Sequence, residues 1–174
     1  MHHEPPYFKL KYAIYHPFFD AMIELSHTLA INSANHPALT LSQIWNGLIL
    51  RITEQTRFTL GLDSVDITDK NHDESPTVYR RVLHFGAHQV RDSVFVVPQQ
   101  SIEFVTEETP TAPSGRLLIQ VNDDLSLTFS YTTQFPDPTN PEEEQLLGII
   151  KAAYQAADAD MIRIIREQAL SVRH

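Results

Sequence analysis

The stretch from Arg80 to Asp92, RRVLHFGAHQVRD, carries the side chains in this sequence best placed to do chemistry. Two mostly apolar arms flank Gly86 and Ala87. A two-residue type II′ turn, which takes glycine first, would fold them into a hairpin. That register sets Phe85 opposite His88, Leu83 opposite Val90, Arg81 opposite Asp92 and Tyr79 opposite Val94. With Val96 these residues share one face, the more apolar one, which is assigned to the inside of a sheet. Arg81 and Asp92 would then form a cross-strand ion pair on that wall. Two charges in such a wall are tolerable only when paired and hydrogen-bonded. Two readings follow. In one, the pair fixes strand register and its heads reach solvent at the sheet edge. In the other, Arg81 offers its guanidinium to a carboxylate, phenolate or enolate of a ligand, and Asp92 is the candidate base. A three-residue loop would shift the register and separate the pair.

Other chemistry finds less support. There are nine histidines, and His84 and His88 flank the hairpin turn. They fall on opposite faces, because His84 opposes Gln89. No HExxH motif occurs, and no histidine or carboxylate cluster has metal spacing, so no metal is expected. The chain has no cysteine and no G-x-S-x-G, and no Ser/His/Asp order suggests a nucleophile. With five glycines it has no Gly-rich phosphate loop, and no cofactor is expected.

The aromatic residues have two readings each. Phe129 and Tyr131 alternate inward with Leu125 and Leu127 on a late strand. Tyr154 sits within a long helix and Trp45 within the first one. Each either packs the core or lines a cavity, where a hydroxyl or indole N–H would orient a ligand. Asp158 and Asp160 stand among Ala156, Ala157 and Ala159 and read as a solvated acidic face. The small residues there would let the helix approach a sheet or leave volume for a ligand.

The elements that must position these residues follow from pattern and punctuation. Residues 7–15 alternate as an amphipathic edge strand until Pro17. A strand is predicted over 23–32, where Ile23, Leu25, His27, Leu29 and Ile31 alternate with polar or small residues. Thr40 and Gln43 form a capping box, with Leu39 and Ile44 as its staple, so a helix starts at Leu41. Its stripe is Leu41, Ile44, Trp45, Leu48 and Ile52. A second short helix follows and ends by Gly61. Period-two segments then run over 63–70, 77–85, 88–97, 100–108, 116–122 and 125–135. Asn140 caps a final helix, Pro141 is its first residue, and Glu142, Glu143 and Glu144 meet its positive end. Its stripe is Leu146, Ile150, Ala153, Ala157, Met161 and Ile164, widened by Leu147, Tyr154, Ile162 and Ile165. About 30 residues would span ~45 Å.

A curved antiparallel sheet with one apolar face needs a cover, and only the C-terminal helix is long enough. The fold class is therefore α+β. The chain of 174 residues suits a single domain over 22–174 preceded by an extension over 1–21. A net charge of −9 argues against nucleic acid and anionic membranes, because no basic face is present. No stretch approaches the ~18 apolar residues of a membrane span, and no signal peptide is evident. The absence of cysteine fits an intracellular, cytoplasmic protein.

This order of one strand, two helices, six strands and a long helix resembles the helix-grip fold of START domains, pollen-allergen-like proteins and polyketide cyclases (the START/SRPBCC superfamily). Three segments, LTLSQIWNGLILR (39–51), YRRVLHFGAHQVRD (79–92) and SIEFVTEE (101–108), narrow the resemblance to the AtaL-like family. It covers about residues 22–170. It implies a sheet of about seven strands wrapped around the C-terminal helix, and a hydrophobic cavity between the two for a small molecule. It names no reaction. The wall of that cavity would be Tyr79, Arg81, Leu83, Phe85, Val90, Asp92 and Val94 of the hairpin, Phe129 and Tyr131, Ile150 and Tyr154 of the long helix, and Trp45.

Three functions remain open. The first is binding of a lipid-like, polyketide-like or aromatic molecule. The second is a cofactor-free cyclase or aromatase using Asp92 and Arg81. The third is a structural protein whose cavity is filled by side chains. In that last case the apolar N-terminal segment could cover a neighbouring subunit and make a homodimer.

Overall fold

The computed structural model describes residues 22–71, 75–110, 114–134 and 138–171. The strand expected over residues 7–15 lies outside them. The described elements are β1 (Met22–Leu29), α1 (Leu41–Thr53) with a single 3₁₀ turn after it (Gln55–Arg57), β2 (Ser64–Asn71), β3 (Thr77–Phe85), β4 (His88–Val97), β5 (Ser101–Thr106), β6 (Gly115–Val121), β7 (Leu127–Gln134) and α2 (Pro141–Ser171). All seven strands join one antiparallel, curved sheet in the order β1-β7-β6-β5-β4-β3-β2. Only β1 departs from the meander, crossing over to pair with the last strand.

Local chemistry explains the boundaries. Thr40 accepts from Gln43 N, and the Gln43 side chain accepts from Thr40 N, so α1 begins on a complete capping box. Asn140 Oδ1 accepts from Glu143 N at 3.0 Å to start α2. Three strands are shorter than their patterns suggest; β5 runs over Ser101–Thr106 rather than 100–108. β1 stops at Leu29 rather than 32 because the chain leaves the sheet there. Ile31 is buried, its carbonyl accepts from Arg166 of α2, and the Asn32 side chain bonds both the N–H and C=O of Leu39. β7 starts at Leu127 rather than 125 because Leu125 belongs to the turn, with φ of 64°. Leu125 therefore packs at the rim of the core instead of alternating inward with Phe129 and Tyr131.

The β3–β4 register pairs Tyr79 with Val94, Arg81 with Asp92, Leu83 with Val90 and Phe85 with His88, as the two-residue turn requires. Gly86 has φ of 58°, which glycine adopts without a Cβ penalty. His84 pairs with Gln89 and its Nε2 lies 2.8 Å from Asp66 Oδ2, on the face opposite Arg81.

The core fills the concave side of the sheet. Val94, Ile102, Ile119, Leu127 and Phe129 are fully buried there beneath Ile44, Leu48 and Ile52 of α1 and Met161 and Ile165 of α2. The buried positions of α2 are Ile150, Asp158, Met161, Ile162, Ile165 and Arg166. Its seam thus runs along the flank set in steps of four from Ile150, while Ala157 of the expected stripe is exposed. Arg166, in the last turns of α2, points inward and donates to the carbonyls of Ile31 and Pro37.

Candidate functional site

Two buried polar groups interrupt the concave wall. The first is the hairpin pair. β3 and β4 place Arg81 and Asp92 directly opposite each other and pointing inward. Arg81 Nε donates to Asp92 Oδ1 at 2.9 Å and Nη2 to Oδ2 at 2.5 Å, a bidentate fork. Their heads do not reach solvent: Arg81 is 1% exposed and Asp92 6%. Arg81 Nη1 donates to Ile52 O at 2.8 Å, one of the carbonyls left open at the end of α1. The guanidinium also lies over the Phe104 ring, 5.3 Å from its centroid, with Arg51 at 5.2 Å from the same ring. All three nitrogens of Arg81 are therefore engaged within the protein.

The second group centres on Asp158, which is 1% exposed. The reading of Asp158 as part of a solvated acidic face is thereby corrected; Asp160 alone is exposed, bound to Arg163 at 2.8 Å. Position 158 falls four residues after Tyr154 and four before Ile162, on the seam that faces the sheet. There the Tyr131 hydroxyl donates to both carboxylate oxygens at 2.8 Å. His27 Nε2 lies 2.9 Å from Asp158 Oδ2, close but not aligned as a hydrogen bond. Among the described residues no Arg or Lys forms an ion pair with Asp158.

Aromatic rings wall this group. Tyr131 stacks on Tyr154 at 4.2 Å between centroids, and His27 stacks on Phe129 at 5.3 Å and on Tyr131 at 6.2 Å. Burial pushes the Asp158 carboxyl above its usual range, opposed by the positive charge of Arg51 and by the Tyr131 hydrogen bond. Burial, and then the Asp158 charge, push the hydroxyls of Tyr131 and Tyr154 upward as well. Arg51 reaches Asp158 only through its field. Its Nη1 sits 2.8 Å from Met161 Sδ, and its Nε is buried with no partner.

The remaining candidates divide by place. Tyr79, Leu83 and Val94 are buried beside the Arg81–Asp92 pair, and Phe85 and Val90 are half-buried at the hairpin end. Ile150 and Phe129 are buried, and half-buried Trp45 packs against the core. Tyr131, Tyr154 and Phe129 join the Asp158 group. His27, absent from the sequence candidates, completes it. The signal was available: between Leu25 and Leu29, the alternation of β1 puts a titratable ring on the apolar face.

Two recesses open along the margin of the sheet–helix seam. One, of about 220 Å³, lies between β1 and α2 and is lined by Glu24, Leu25, Ser26, His27, Lys151, Tyr154 and Gln155. The other, of about 410 Å³, lies between the linker after β1 and the second half of α2, with Ile31, Pro37, Ile162 and Leu170 in its lining. His27 and Tyr154 connect the first recess to Asp158. Among the described residues no three His, Asp or Glu side chains gather as a metal set, and no helix is long and apolar enough to cross a membrane.

Residues 25–171 match a family model described as acetylaranotin biosynthesis cluster protein L, AtaL. No curated protein matches the chain. Among solved structures, the Zhui aromatase/cyclase from Streptomyces sp. R1128 is similar at 14% identity and a TM-score of 0.55, over 88% of this chain and 97% of that one. The di-domain aromatase/cyclase StfQ of the steffimycin biosynthetic pathway is similar at 10% identity and a TM-score of 0.54. That likeness spans 87% of this chain and 52% of the StfQ chain. Major latex-like protein 151 from Panax ginseng is similar at 12% identity and a TM-score of 0.50, over 85% and 97%. These likenesses show the fold, the helix-grip arrangement of a curved sheet and a long C-terminal helix.

Proposed function

This chain belongs to the AtaL family, and we propose that it binds a hydrophobic small molecule along the seam between sheet and α2, with the Asp158 group as the polar anchor. One observation carries this reading. A carboxylate 1% exposed is held by a tyrosine hydroxyl beside a histidine, with no lysine or arginine ion-paired to it among the described residues. Folding gains nothing from such a group, because an apolar residue at the same place would avoid the cost of desolvating a carboxylate. Buried titratable groups of this kind concentrate where ligands bind or react. The flat rings of His27 and Tyr154, backed by Phe129 and Tyr131, suit an aromatic or polyketide-like ligand, and the names of two similar structures, aromatase/cyclases, point the same way.

In this reading Arg81 and Asp92 anchor the β3–β4 hairpin to the end of α1, and Tyr79, Leu83 and Val94 pack around them. A second reading, a cofactor-free enzyme, draws on a different observation: His27 stands between the β1–α2 recess and Asp158. It moves the acid–base role from Asp92 to the Asp158 group.

Native mass spectrometry of freshly purified protein, followed by organic extraction, tests the binding reading. The expected result is a stoichiometric extra mass lost on denaturation, reduced in Asp158→Asn. A clean apo mass, together with no melting shift across a panel of hydrophobic ligands, would overturn it.

A further inference from the structure

We propose that the recess between β1 and α2 is a proton-transfer site for a 1,3-dicarbonyl compound, in which His27 takes the acidic C–H proton and Lys151 holds the enolate oxygen. The inference rests on the binding reading above and names the substrate class of that site.

The recess contains the parts such a step needs. His27 is its inner group, with a side chain 11% exposed, and Nε2 faces Asp158 at 2.9 Å. That leaves Nδ1 as the nitrogen able to exchange a proton. Asp158 is itself fixed by the Tyr131 hydroxyl at 2.8 Å and stands beside the imidazole without a hydrogen bond to it. In the proposed step the ring turns to donate Nε2–H to this carboxylate, and a base so oriented is the pattern of general acid–base catalysis. Lys151 lies three residues before Tyr154 and four before Gln155, so all three share the helix face that lines the recess. It forms no ion pair among the described residues, which leaves its ammonium available to an oxyanion.

Ser26 lines the recess, but its side chain alternates to the other face of β1 from His27 and bonds Ser130 Oγ at 3.2 Å. Ser26 is therefore not set against the imidazole as a nucleophile. The volume, about 220 Å³, is below the ~300 Å³ at which drug-sized pockets begin. It takes a short planar segment, with the rest of the ligand lying outside or along the seam. The Tyr154 ring offers that segment a flat wall.

The step balances without a co-reactant. The C–H bond between the two carbonyls breaks, and the proton moves to the neutral His27 ring. The electron pair spreads onto a carbonyl oxygen as an enolate beside the Lys151 ammonium. Return of a proton from His27 to the carbon restores the dicarbonyl, and in D₂O it returns a deuteron. Asp158 is a positioning residue in this scheme. Glu24, exposed at the rim, is the competing base.

The test follows deuterium uptake at the central carbon of ethyl acetoacetate by proton NMR, in D₂O with the full chain. Saturation transfer to the same probe reports binding. The expected result is exchange about a hundred-fold above buffer, lost in His27→Gln and reduced at least ten-fold in Lys151→Gln. Asp158→Asn should displace the pH profile of the exchange rather than only lower it. If His27→Gln does not fold, Lys151→Gln, at an exposed position, decides alone: unchanged exchange overturns the proposal. Exchange abolished by Glu24→Gln but kept in His27→Gln overturns it too. Saturation transfer with exchange at buffer level overturns the proton-transfer site and leaves the binding reading standing. No saturation transfer, with a clean apo mass and no melting shift from hydrophobic ligands, overturns both.

Discussion

Gly47 of α1 lies so close to Ile165 of α2 that a Cβ on Gly47 would stand 2.6 Å from Ile165 Cγ2. A glycine inside a helix ordinarily costs ~0.5–1 kcal/mol relative to alanine, so Gly47→Ala would stabilise an isolated helix. Here the contact between helices reverses the sign. Gly47→Ala should destabilise the protein by about 1–3 kcal/mol through overpacking, read from urea unfolding. The same substitution in an Ile165→Ala background should cost measurably less, because the atoms it meets are gone.

Removing one member of the hairpin pair leaves a buried charge alone. Arg81→Ala strands the Asp92 carboxylate and uncaps the Ile52 carbonyl, and should cost about 3–5 kcal/mol. The double substitution Arg81→Met with Asp92→Leu should recover most of that loss, since apolar residues of similar volume often replace buried pairs well. A double-mutant cycle by chemical denaturation checks both. Equal losses in the single and double variants would refute the account of a stranded charge.

Asp158 makes stability depend on pH in a set direction. Burial raises its carboxyl in the folded state above the unfolded value of 3.8. The folded protein therefore holds this proton more tightly than the unfolded chain does. Stability from this group is greatest at or below pH 3.8 and falls as pH rises toward the folded value. Tyr131 and Tyr154, His27, and the field of Arg51 are the groups that face it. Melting temperatures of wild type and Asp158→Asn, measured from pH 4 upward, should diverge, with wild type losing ground to the variant as pH increases. Parallel curves would contradict this.

Tyr131→Phe removes the hydroxyl that donates to both Asp158 oxygens and leaves the ring stack with Tyr154 in place. The cost should be about 1–3 kcal/mol, that of leaving a buried acceptor unsatisfied. It should shrink in Asp158→Ala, where no acceptor remains. Thermal unfolding of the two singles and the double gives the coupling.

What was legible in the sequence was what short-range chemistry determines. The Arg81–Asp92 register followed from a two-residue turn, because strand parity leaves no freedom once the turn is fixed. The starts of both helices followed from Thr40 and Asn140. The long-range partners were not legible in the same way. The neighbours Ala157, Ala159 and Asp160 suggest a solvated face for Asp158, although its spacing from Tyr154 and Ile162 puts it on the apolar seam. His27 fits the alternation of β1, but its meaning depends on an aspartate far along the chain. The second task of Arg81, closing the end of α1, requires knowing that β3 passes beneath that end. Sequence pattern states which face a residue occupies; the fold decides which other face it meets.

The uneven burial of α2 has a kinetic consequence. Apart from Ile150, its buried positions lie between Asp158 and Arg166, whereas Lys151, Tyr154 and Gln155, which wall the β1 recess, belong to the looser first half. Amides over residues 145–155 should exchange with solvent through local opening, while those near Ile162 and Ile165 wait for global unfolding. Entry and escape of a ligand at the recess would then run on the clock of a few fraying turns. A substitution such as Gly47→Ala in α1, which weakens the whole fold through its contact with Ile165 in the second half of α2, should lower the melting temperature and leave ligand residence time unchanged.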